Sequence, residues 1–168
     1  MTPEGYRATQ AQYAQRAEQT VLLAAASSTL SGFALASSLG IYLSTVNEAA
    51  TQLADVWTSA FLRVAPVGLA LPRTEPDRLT EVVISVLEQS PRLDPLPRLA
   101  RLARTEPVVA GRMASQQVMQ AHNVERMRWL LDPDPCPTCV ALSKETYPVD
   151  QLPESHPHCE CTTIPDID

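Results

Sequence analysis

Aromatic side chains are nearly missing from this chain: Trp, Tyr and Phe make up 5% of 168 residues. Sandwich strands draw on aromatic and β-branched residues, so the scarcity points instead to helices closing on small side chains. Glycine is also scarce, at 5 residues, which excludes collagen-like and flexible-linker compositions. With 45% hydrophobic residues and a net charge of only −6, the chain is not a disordered one. The acidic balance offers phosphate backbones no general attraction. No Gly-rich phosphate loop, G-x-S-x-G or H-E-x-x-H is present, so the motifs that mark common catalytic sites are absent and no enzyme activity is expected. Nor does a cationic, cleavable leader open the sequence.

What is present is unevenly spread. Residues 1–62 carry two basic and four acidic side chains, residues 63–128 ten basic and seven acidic, and residues 129–168 one basic (Lys144) and eight acidic. All four cysteines lie in the last 33 residues. Residues 19–47 hold no charge at all, long enough for a bilayer span. Nine Ser and Thr, two Gly and no flanking Lys/Arg cluster or Trp belt argue against one, so a buried or self-associating helix is expected.

Helix signals recur. Thr2-Pro3-Glu4 reads as an N-cap, a first-turn proline and an acid at the positive dipole end, opening a helix over 3–30. The Ser/Gly stretch up to Gly40 reads as a break or a weak helix. Tyr42, Val46, Ala49, Leu53, Trp57, Ala60 and Val64 form one apolar stripe, giving a helix over 41–64 that Pro66, Gly68 and Pro72 end. Arg73-Thr74-Glu75-Pro76 opens a helix over 75–89. Asp94-Pro95 opens a short one over 95–103. A second Arg-Thr-Glu-Pro, at 104–107, then caps a helix over 106–122, with Asn123 as its stop. Reuse of one good capping sequence explains the two copies better than a repeat does, since their flanks differ.

After Asn123 the pattern changes. Met127, Trp129 and Leu131 alternate with Arg126 and Arg128, as in a strand, and prolines punctuate the rest. The expected fold is mainly α: a helical body over 1–123 and a small zinc-stabilised α+β cap over 124–168.

The cap reads Cys136-Pro137-Thr138-Cys139, sixteen residues, then His156-Pro157-His158-Cys159-Glu160-Cys161. A C-x-x-C turns two thiolates onto one ion, and a second Cys/His cluster supplies the other corners of a tetrahedron. Forty mostly irregular residues bury little apolar surface, so metal binding would supply their folding free energy. The candidates outnumber the places. Cys136, Cys139 and Cys161 are expected ligands of one Zn²⁺, with Cys159 and His156 competing for the last position and His158 a sixth donor. A thioredoxin-type reading of Cys-Pro-Thr-Cys fails because no βαβ pattern precedes it and 29 residues follow Cys139. A nucleic-acid-binding ribbon fails because the cap is acidic.

Taken in order, the C-terminal half resembles the phage Mu F-like head morphogenesis proteins, or minor capsid proteins. The series is Arg104, Thr105 and Glu106 on a helix, Trp129 on a strand, an acidic turn and Cys136 and Cys139. It continues through Leu142, Tyr147-Pro148, and His156-Pro157 with Cys159 and Cys161, covering residues 98–165. Two positions depart from the family: Glu160 stands where a basic residue is common, and Ser143-Lys144-Glu145 where a glycine is. The resemblance implies a low-copy virion component, made in the host cytoplasm, that joins the portal or the major capsid protein during head assembly. Residues 19–47 would supply self-association or the partner contact. The competing reading is a small zinc-binding effector or enzyme acting in the host cell, with Arg104, Glu106 or the thiols used chemically.

Overall fold

A computed structural model of the chain describes residues 2–27, 32–88, 94–151, 153, 156 and 159–167. Helix α1 runs Pro3–Ser27 from the expected cap, where the Thr2 hydroxyl accepts the Gly5 N–H at 3.1 Å. Helix α2 spans Gly32–Leu62. It therefore begins nine residues before the expected start at 41, and from Gly32 on the stretch read as a break or a weak helix is helix. Ser38 and Thr45 donate their hydroxyls to the carbonyls of Ala34 and Ile41, so polar side chains that usually favour turns are satisfied inside the helix. Gly40 is no breaker either. A Cβ there would sit 2.7 Å from the Thr80 nitrogen and 2.9 Å from its Cα, so the glycine lets α2 meet the next helix, α3 (Pro76–Glu88).

Past Leu62 the chain turns through Arg63 and Gly68, both at positive φ. Buried Asp55 pins this loop by accepting the N–H groups of Val67 and Gly68 at 2.9 and 2.7 Å. A short 3-10 turn at Pro72–Thr74 leads into α3, whose Leu79 and Val83 are buried as the periodicity requires.

Helix α4, Leu96–Ala121, corrects the sequence reading. The expected helices over 95–103 and 106–122 are one helix, with Pro107 inside it. Proline removes one backbone hydrogen bond in a helix interior, but tertiary packing keeps this helix continuous. The two Arg-Thr-Glu-Pro copies thus play different parts. The first leads into α3, while the second lies mid-helix. Its Glu106, buried on α4, takes Arg73 and Arg78 at 2.7 Å each and Asn47 at 3.4 Å. Asn123, at φ 55°, ends the helix region as expected.

The body packs around α2 and α4, with α3 against α2 and α1 against α4. Val21, Ala36, Leu39 and Leu43 from the uncharged stretch join Leu79, Val83 and Leu99 in one core cluster. Their outward neighbours Leu23 and Phe33 are 70% and 72% exposed. Among the described residues no helix is long and apolar enough to cross a membrane.

Three antiparallel strands complete the fold in the order β2-β1-β3: β1 Arg126–Leu130, β2 Thr146–Pro148 and β3 Thr162–Pro165. Met127 and Trp129 point inward from β1 while Arg126 and Arg128 stay exposed. Opposite β1, Leu130 pairs with Thr162 and Met127 with Pro165. Ile164 of β3 packs into the body beside Tyr6 and Trp57.

Candidate metal centre

The C-x-x-C is held by a six-residue helix, α5 (Pro137–Leu142). Cys136 is its N-cap, and its sulfur accepts the Cys139 N–H at 3.4 Å. Proline at the first helical position sets the turn. The Tyr147 hydroxyl donates to the Leu142 carbonyl at 2.9 Å, tying the end of α5 to β2. After Leu142 the chain turns through Ser143-Lys144-Glu145 on backbone hydrogen bonds, with the Ser143 hydroxyl donating to the Val140 carbonyl at 3.0 Å. No residue there has positive φ, which removes the need for a glycine.

On the other side Cys161 immediately precedes β3, so the β1–β3 register carries it opposite the residues that follow β1. Its sulfur accepts the Asp132 N–H at 3.4 Å. His156 Nε2 lies 3.0 Å from Cys136 Sγ and 3.2 Å from Cys139 Sγ. Cys159 Sγ is 3.4 Å from Cys139 Sγ, far beyond a disulfide bond of about 2.05 Å, and all four cysteines are free thiols.

All five expected ligands therefore meet at one place. Their donor atoms form two triads, Cys136–Cys139–His156 and Cys139–Cys159–Cys161, each within 4.8 Å. Cys139 belongs to both. Cys139, Cys159 and Cys161 are buried and Cys136 is half-buried. A tetrahedral ion with bonds of about 2.3 Å spaces its thiolates by roughly 3.8 Å, and each triad has the compactness to hold three corners of such an ion. His158 lies outside the described residues.

The electrostatics also suit a cation. The Cys139 N–H holds the Cys136 thiol below its ordinary value, while burial pushes Cys139 up to about 11. The Cys161 thiol supports Cys159, which falls to about 5, and Cys161 is raised by that same bond and by burial. Packed this closely, the sulfurs resist ionising together, and a coordinated metal reverses that by deprotonating its thiols outright.

Helix α4 grips the ligand segment with side chains absent from the expected set. Arg112 donates to the carbonyls of Cys161 (Nε, 3.0 Å) and Cys159 (Nη2, 3.3 Å), and its guanidinium lies 4.8 Å from the centre of the Trp129 ring. Two turns earlier Arg104 pairs with Glu160 and, at 3.3 Å, with Glu18. Glu160, the departure between the last two cysteines, thus has a cation of α4 as its partner. Gln116 donates to the Val149 carbonyl at 2.7 Å. Arg104 and Glu106 are both engaged in ion pairs, which is a structural use of residues considered for chemistry. The sequence did carry a signal for Arg112: its neighbours three and four positions away are Val108, Val109, Ser115 and Gln116, so no acid on its own helix pairs with it.

Comparison with protein-family models, with curated proteins and with solved structures finds no match to this chain.

Proposed function

We propose that this chain is a phage minor head protein of the Mu F-like kind, whose cap is cross-linked by one Zn²⁺. The observation that carries the reading is the cluster itself: five sulfur and imidazole donors, far apart in sequence, converge beneath a helical bundle. Clustered thiolate and imidazole donors suit zinc. When bound, zinc supplies folding free energy to a cap with little core of its own. Cys136 and Cys139 present two donors from α5, Cys161 supplies a third, and Cys159 and His156 compete for the last place. Four protein donors leave no position for a substrate, so the role is structural rather than catalytic.

The protein is made in the host cytoplasm and enters the head in few copies, against the portal or major capsid protein. The outward side of the uncharged stretch, with exposed Leu23, Phe33 and Ile41, is the surface offered to that neighbour or to another copy. The acidic cap recognises no nucleic acid sequence. Peptide mass spectrometry of purified virions tests this. Peptides of this chain are expected in virions at a small fraction of the major capsid signal. Their absence from virions while the lysate contains them contradicts the reading.

A further inference from the structure

Arg112 is only 1% exposed and among the largest fully buried side chains. Its contacts are two carbonyl oxygens and the face of Trp129. Among the described residues no carboxylate lies within ion-pair distance of it. Glu160, the acid between the two cysteines whose carbonyls it holds, is taken by Arg104. A guanidinium is always charged, and buried charges are normally compensated by opposite charge. Neutral carbonyls and a ring are its direct contacts, and the charge acts on the Cys159 thiol, whose anion it favours.

The missing negative charge is available one bond network away. A Zn²⁺ ion with three thiolates and a neutral imidazole carries a net charge of −1, and with four thiolates −2. Such an anion buried under Trp129 carries the same penalty as an unpaired Arg112. Each removes the other's. We infer that Arg112 is the permanent counter-charge of the metal centre, a positioning residue that fixes the Cys159–Cys161 backbone and balances the excess charge of its thiolates. The inference rests on the reading of the cluster as a metal centre.

Two variants of the full chain separate charge from hydrogen bonding. Arg112→Gln keeps a donor for a carbonyl and loses the charge, whereas Arg112→Lys keeps the charge and loses the two-pronged donor. Zinc affinity is read by competition with a chromophoric chelator, and the thiolate absorption of the Co²⁺-loaded protein reports the ligand set. The metal reading itself fails first, and separately, if the unaltered protein holds no zinc. Given a zinc-bound parent, Arg112→Gln is expected to weaken zinc binding by about 10–100-fold, the usual range for groups supporting metal ligands. Arg112→Lys is expected to stay within about fivefold of the parent, with its Co²⁺ spectrum unchanged, a smaller loss than that range. Equal losses in the two variants, or none in Arg112→Gln, overturn the counter-charge role. If Arg112→Gln does not fold, Arg112→Lys decides alone, and a loss of tenfold or more overturns it.

Discussion

Cys139 is the residue on which the centre turns, because its sulfur is the one member shared by both donor triads. Cys139→Ser breaks both triads and should abolish tight zinc binding, whereas His156→Ala and Cys161→Ser each break one triad and should retain part of it. Elemental analysis after dialysis measures the difference; equal zinc in all three variants would remove the special place of Cys139. A second residue-scale prediction concerns Glu106, whose carboxylate serves two half-buried guanidinium groups. Glu106→Gln leaves both of them without this charged partner. Charge-assisted hydrogen bonds contribute about 1.5–3 kcal/mol each, and partial exposure of both arginines screens them. The expected loss is therefore about 2 kcal/mol in total, read as a lower urea midpoint with an unchanged slope.

At the scale of the element, the close crossing of α2 and α3 is the sharpest test. Gly40→Ala places a methyl group against the Thr80 backbone, which cannot yield as a flexible side chain would. Overpacking of this kind costs about 1–3 kcal/mol, although alanine itself favours helix over glycine by about 1 kcal/mol. A net destabilisation of about 1 kcal/mol is expected in urea; a gain in stability would show that the two helices do not meet at Gly40. The same elements show how far the sequence could be read. Helix α3 and strand β1 were legible because their apolar periods are clean and their faces one-sided. The start of α2 was not, since hydroxyl groups bonding back to the preceding turn make a polar run helical without any change in composition. Nor was the continuity of α4 legible. Local capping rules favour a stop before Pro107, and only the burial of Glu106 against Arg73 and Arg78, 33 and 28 residues away, shows why the helix continues. The gathering of the Cys/His cluster was legible because metal donors announce themselves by residue type and spacing. Of the supporting residues, Gln116 was not, because a glutamine on a helix looks the same whether it faces water or a carbonyl, whereas Arg104 stood out beside Thr105 and Glu106 and Arg112 left the trace of an arginine with no acid beside it on its helix.

Across the whole molecule, the cap and body rest on different sources of stability. The body closes on Leu, Val and Ala contributed by α1 to α4. The cap's cluster is Trp129 with three cysteines, too small a core to hold three short strands by burial alone. Removing the metal should therefore change the environment of Trp129 and expose the amides of β1 and β3, while the helical circular dichroism signal stays largely intact. Loss of helix and cap in a single transition would mean that the body also depends on the metal. The central claim, that the five converging donors form a zinc centre, is tested most directly by metal content. Purified full-length protein, dialysed without chelator, should carry one zinc per chain, with its thiols slow to react until a strong chelator is added. Well under one zinc per chain, with four thiols that react freely from the outset, would contradict it.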